Sequence, residues 1–219
     1  MALLVCQQNR IFAFLKMKAH FASLIFLVTF QFSVGAQSTP LLDSLELEGA
    51  EVFYSLKEAL VNPDKVYRLH LKGKGLSDIP EAVFGFKNLQ ELILARNKFT
   101  EIPSNVAKLE NLQRLSFAKN KLKYVNAEVA RLKNLKSLII SQNEIVELPK
   151  ELATMEKLEF IDIWSNEIAT VPAEFKQFKA LKKMDFRVIL LNDTQQDEIR
   201  KNLPANVDAM FSPSCNCGK

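Results

Sequence analysis

Apolar and polar positions in the middle of the chain recur with a period of 23 residues. Val66, Leu89, Leu112, Leu135, Leu158 and Leu181 open successive units, with no insertion between them. Four units carry L-x-x-[apolar]-x-[apolar]-x-x-N-x-[apolar] in full: Leu89-Leu92-Leu94-Asn97-Phe99, Leu112-Leu115-Phe117-Asn120-Leu122, Leu135-Leu138-Ile140-Asn143-Ile145 and Leu158-Ile161-Ile163-Asn166-Ile168. The fourth and sixth positions point one way and the residues between them the other, which predicts a short strand with one buried face. The second half of a unit reads x-x-I-P-x-x-V-x-x-L, as in the stretch from Ile102 to Leu109. Apolar residues three apart, opened by a proline, predict a helical or 3-10 turn. The proline recurs at Pro80, Pro103, Pro149 and Pro172; Asn126 replaces it in the third unit, which predicts a looser turn there.

One unit cannot bury its own apolar side, whereas stacked units can, with a parallel sheet on one face and turns on the other. The pattern resembles the leucine-rich repeat family in its 23-residue L-x-x-L-P variety, also seen in Ras-group and many bacterial members, over about residues 66–191. The resemblance implies an α/β architecture: a right-handed solenoid with a parallel concave sheet, short helical or 3-10 convex turns and helical caps at both ends. It further implies protein binding through the inner sheet, without catalysis. Asn97, Asn120, Asn143 and Asn166 are read as a structural ladder, their amides replacing backbone partners lost where each strand ends. The equivalent position is Lys74 in the first unit and Ile189 in the last.

The ends of the stack need covers. Residues 51–61 place Val52, Phe53, Leu56 and Leu60 at helical spacing and predict an N-terminal capping helix, with 37–50 as an approach segment. Thr194 to Asn202 predicts a C-terminal helix stopped by Leu203-Pro204, and Val207 to Phe211 a last edge strand. The expected organisation is therefore a leader over 1–36, an N-terminal segment and cap over 37–65, repeats over 66–191, and a cap and tail over 192–219.

Residues 1–36 read as a secretory leader: Lys16 and Lys18 are basic, Phe21 to Val34 is apolar, and Val34-Gly35-Ala36 is a small-residue cleavage site. A leader starting at Met17 has every part it needs. The expectation is an exported protein (secreted, periplasmic or cell-surface) beginning at Gln37. The alternative is a membrane anchor retained over residues 17–36, but the 14 apolar-rich residues fall short of the ~20 that a span requires. The leader holds Arg10, Lys16 and Lys18 and no acid, so 26 of the 29 basic residues remain against 25 acids. Net charge then gives no reason to expect a nucleic acid partner.

Chemistry-bearing motifs are sparse. Beyond the leader the chain has one histidine, His70, flanked on its strand by Arg68 and Lys72 with no carboxylate immediately beside it; it reads as a surface residue. Asp162 and Asp185 share the fifth position of adjacent units and form the one carboxylate pair with hydrolase-like placement. Lys183 and Arg187 flank the second, which favours salt bridges over proton transfer. Cys215 and Cys217 are too few for a metal site, and no cofactor motif occurs. Asn192-Asp193-Thr194 fits a glycosylation sequon.

The remaining candidate is the outward face of the sheet, formed by the third, fifth, seventh and eighth positions of each unit. The first three units look basic, with Arg68, Arg96 and Arg114 prominent against the single acid Glu91. Ile139 adds an apolar side chain in the fourth unit, and the fifth carries Phe160, Asp162 and Trp164, followed by Asp185 and Arg187 in the sixth. A solvated strand has no folding reason to display Phe160 beside the chain's one tryptophan, and such aromatics anchor interfaces. The expected partner is a protein, acidic or glycosylated. A carbohydrate or cell-envelope ligand stacked on Phe160 and Trp164 is the alternative, and hydrolysis by Asp162 and Asp185 a third reading.

Overall fold

The computed structural model describes residues 40–214; the expected leader, Cys215 and Cys217 lie outside them. Eight strands form one sheet in sequence order, every neighbouring pair parallel: β1 Val52–Phe53, β2 Arg68–His70, β3 Glu91–Ile93, β4 Arg114–Ser116, β5 Ser137–Ile139, β6 Phe160–Asp162, β7 Lys183–Asp185 and β8 Asp208–Met210. From β2 to β7 partners stand 23 residues apart, as in Leu69↔Leu92, Leu92↔Leu115 and Leu115↔Leu138. The period of the sequence is thus the register of the sheet. The fourth-position residues Leu69, Leu92, Leu115, Leu138, Ile161 and Met184 are completely buried in one column. Truncating one of them, as in Leu115→Ala, would cost about 2–5 kcal/mol.

The return turns on the opposite side are 3-10 helices over Glu81–Gly85, Ser104–Lys108, Ala127–Arg131, Lys150–Thr154 and Ala173–Gln177. Each is closed by an N–H to the carbonyl three residues back, as from Val106 to Pro103 at 3.0 Å. Asn126 does not loosen the third turn, contrary to the expectation from the missing proline. Its backbone holds φ −75° and ψ 154°, close to the values at Pro103, and its amide donates to the Ile102 carbonyl of the unit before.

Each strand from β2 to β7 leaves through a residue in the left-handed region: Gly73, Arg96, Lys119, Gln142, Ser165 and Val188, with φ between 54° and 67°. The ladder asparagines follow immediately. Asn120 donates to the carbonyls of Phe117 (2.8 Å) and Leu94 (3.1 Å) and accepts from the N–H of Phe99 (3.1 Å). Asn97, Asn143 and Asn166 repeat these bonds. Each amide therefore supplies two carbonyls and one N–H that the turn has stripped of partners.

The N-terminal end corrects the expected capping helix over 51–61. Val52 and Phe53 instead form β1, paired with Arg68 and Leu69, and only Leu56–Ala59 is helical (α2, below). An open sheet edge offers main-chain hydrogen bonds that outweigh the helical spacing of four apolar residues; Leu60 is left exposed. Residues 44–49, expected only as an approach, form helix α1, Ser44–Gly49, which Asp43 starts with a capping box to Glu46. The short helix Leu56–Ala59 is α2. At the other end α3, Asp193–Lys201, is capped by Asn192 and Gln195 and buries Ile199. Its Arg200 lies over the ring of Phe211, just past β8, and Phe211 stacks on Phe186 with centroids 4.9 Å apart.

Candidate interaction surface

The open face of the sheet divides into two parts. In the first, strands β2 to β4 bring Arg68, Glu91 and Arg114 side by side through their shared third position. Glu91 is the hub. Its Oε1 accepts from Arg68 Nε at 2.9 Å and lies 2.6 Å from His70 Nε2, and its Oε2 accepts from Arg114 at 2.8 Å. Burial raises the pKa of this carboxyl, but the hydrogen bonds of His70 and Arg68 and the charges of Arg114 and Arg68 outweigh it, leaving a value of about 2. A carboxylate only accepts, so His70 Nε2 carries the proton.

This arrangement corrects two expectations. His70 has a carboxylate at hydrogen-bond distance, supplied by the next strand rather than its own. Arg68 and Arg114 are engaged by Glu91 rather than free for a partner. Arg68 also donates to the Glu48 carbonyl at 2.7 Å, and Arg114 stands 3.7 Å from the Glu48 carboxylate. The segment around α1 is thereby tied onto the face. Gln90 and Gln113 extend the tie, accepting from the Leu42 N–H (3.0 Å) and donating to its carbonyl (2.8 Å). Glu48, Gln90, Gln113 and the burial of Glu91 were missed in the sequence. The readable signal was an acid between two arginines in three consecutive third positions, where the register of a parallel sheet sets neighbours about 4.8 Å apart.

The second part runs from β5 to β7. Ile139, Asp162 and Asp185 are in register across it, as are Ser137, Phe160 and Lys183. Phe160, Trp164 and Ile139 are half-buried on the outward side, outside the apolar interior. Phe160 lines a groove of about 260 Å³ with Leu47 and Ser44 of α1, and with Gln113, Arg114, Lys136, Ser137 and Glu159.

The two aspartates do different work. Asp162 accepts from the Ser141 hydroxyl (2.9 Å) and the Trp164 N–H (3.2 Å), so it fixes the backbone that carries the tryptophan. Burial raises its pKa, the nearby Asp185 adding to the effect against these two bonds. Asp185 is 3 % exposed and therefore not a partner-facing residue, contrary to the sequence expectation. Burial raises its pKa too, but the Arg187 guanidinium, 2.7 Å away, and the Arg187 N–H reverse the shift to a net lowering. Arg187 is accordingly committed to Asp185, while Arg96 projects from its left-handed turn into solvent. The carboxylates are brought together, but each is occupied by a structural hydrogen bond.

A second set of amides was also missed. Asn111 and Asn134 donate to the carbonyls of Lys87 (2.8 Å) and Glu110 (2.9 Å), and Asn88 to that of Asp64 (2.6 Å). All occupy the last position of a unit. Among the described residues no group of three His, Cys, Asp or Glu side chains could hold a metal ion, and no helix is long and apolar enough to cross a membrane.

With this geometry in hand, comparison with known proteins is direct. A model of the leucine rich repeat family matches residues 87–145. A solved leucine-rich repeat protein from Leptospira interrogans is similar in structure, with a TM-score of 0.57 and 26% identity over 75% of this chain. This chain spans about half of that one, 49%. A comparison with curated proteins finds no match. The family match over residues 87–145 and the likeness in structure support a leucine-rich repeat family for this chain, and its eight-stranded parallel stack has the leucine-rich repeat fold, which generally serves protein interaction.

Proposed function

We propose that the protein is an exported, non-catalytic binding module that takes a protein partner on units four and five of its inner face. Phe160, Trp164 and Ile139 supply the apolar contact. The observation that carries this reading is the outward placement of Phe160 on β6 and of Trp164 just after it in the same unit, with the Trp164 backbone held by Asp162. Aromatic side chains fixed in this way lose little entropy when a partner covers them. The groove between Phe160 and Leu47 offers a concave seat beside them.

Affinity capture from envelope and culture fractions, with the wild type and Trp164→Ala side by side, tests the binding reading. A protein retained by the first and lost by the second is expected; identical protein lists overturn it, as does a Trp164-dependent signal on a glycan array alone. Export is tested separately by the mass of the native chain, expected to begin at Gln37.

A further inference from the structure

The turns that leave the strands change charge along the stack. In units one to three, positions seven to twelve hold Lys72, Lys74, Arg96, Lys98, Lys119, Lys121 and Lys123, and no acid. In units four and five the same positions hold Glu144 and Glu167, and no cation. All seven cations are exposed, and none has an ion-pair partner among the described residues. Asp78 and Glu101 follow one place beyond, and Glu101 already accepts the Tyr124 hydroxyl. Unlike Arg68 and Arg114, therefore, this edge keeps its charge.

The backbone holds the edge in register. The N–H groups of Gly73, Arg96 and Lys119 donate to the next unit at 3.0, 2.9 and 2.9 Å, and those of Lys98 and Lys121 donate to the unit before at 2.7 and 2.9 Å. The charges thus recur at the strand spacing of about 4.8 Å. Six of the seven are lysines, point charges without the fork that selects a single carboxylate. Positions seven to twelve of these units expose no aromatic side chain of the kind a protein hot spot or a membrane interface uses, and Tyr124, one place beyond Lys123, is tied through its hydroxyl to Glu101. Repeating charge without an apolar anchor matches a repeating anionic polymer.

We infer that this edge, formed by the turns of units one to three, binds a linear anionic polysaccharide bearing uronate carboxylates or sulfates. It is separate from the Phe160 and Trp164 surface; the choice of polysaccharide over nucleic acid rests on the export reading. The binding itself is measured on purified protein and does not depend on where the cell places it.

The probe is heparin, with duplex DNA and vesicles containing anionic phosphatidylglycerol as parallel arms. Two triple variants carry the same change in net charge: Lys98→Glu/Lys119→Glu/Lys121→Glu on the edge, and Lys150→Glu/Lys176→Glu/Lys201→Glu away from it. The expected result is heparin binding whose logarithm falls linearly with the logarithm of salt concentration, weakened at least about tenfold by the edge variant and within about twofold of wild type in the control. Far-UV circular dichroism and melting temperature confirm that both variants are folded. No heparin binding at about 50 mM salt overturns the inference. So does equal weakening by both variants, or DNA or vesicle binding as tight as heparin binding.

Discussion

His70 Nε2 lies 2.6 Å from Glu91 Oε1, and the carboxylate it meets is 2 % exposed. One acid from the second unit thus holds side chains of the first and third, and through Arg68 and Arg114 it also holds Glu48 and the α1 segment. Glu91→Gln keeps the shape and removes the charge. Its expected cost is about 2–4 kcal/mol, since the partners are left without their counterion. Chemical denaturation measures the loss, and hydrogen exchange should show faster exchange over 40–50 than in wild type.

The same carboxylate sets an acid limit. Its folded value of about 2 lies below the ordinary 4.5, so the folded protein binds the proton less readily than the unfolded chain. The stabilisation is complete above pH 4.5 and is lost as pH falls toward 2. The shift is worth about 3 kcal/mol at 1.36 kcal/mol per unit. Glu91→Gln should therefore flatten stability against pH in that window. An unchanged slope would show that the acid limit comes from other groups.

Asn120→Ala removes the partners of the Phe99 N–H and the Leu94 and Phe117 carbonyls. The expected loss is about 1–3 kcal/mol. Partner capture by the folded fraction should survive, because the amide faces the loop interior rather than the aromatic surface. A melting temperature equal to wild type would dismiss the ladder as a source of stability.

Val188 sits at φ 59°, a conformation hostile to a β-branched side chain. Val188→Asn keeps the backbone N–H that donates to Ser212 Oγ at 2.8 Å and removes the crowding. A gain of about 1 kcal/mol is expected. The reverse change in the same column, Arg96→Val, should cost a similar amount, and thermal melts of the two variants provide the check.

Trp164 is the only tryptophan, so its fluorescence reports one place. Half-buried on the open face, it should emit between a fully buried and a free indole, and acrylamide should quench it. Asp162→Asn should retain most stability at neutral pH, since the raised pKa of Asp162 marks a charge that burial penalises. Strongly blue, unquenched emission would place Trp164 in the interior and remove the docking surface.

The repeats were legible because every unit restates one pattern, and the register of β2 to β7 follows from counting 23 residues. The N-terminal end was not. Val52 and Phe53 have helical spacing, and only the vacant edge of β2 makes them a strand. Nothing local to Leu42 reveals that it meets Gln90 and Gln113, 48 and 71 residues away. Among candidate site residues, Phe160, Trp164 and Ile139 were readable from strand alternation. Asp185 was not, because its burial depends on Arg187 folding back over it and on β8 beside it. The basic character expected of the inner face fails at Arg68 and Arg114 for a related reason: their neutralising acid, Glu91, lies on the strand between them and acts across the sheet.

The amides at the ends of the units carry one more implication. Asn88, Asn111 and Asn134 latch each turn to the one before, but Lys157 and Ala180 hold the corresponding places afterwards, and Lys157 only reaches back to the Asn134 side chain at 2.7 Å. The early half of the stack is thus fastened by amides on main-chain carbonyls, whereas in the later half Lys179 and Lys182 reach back to the carboxylates of Glu156 and Glu159. Salt should therefore loosen the later half and leave the early half untouched, so the two ends of one spring answer to different solvents.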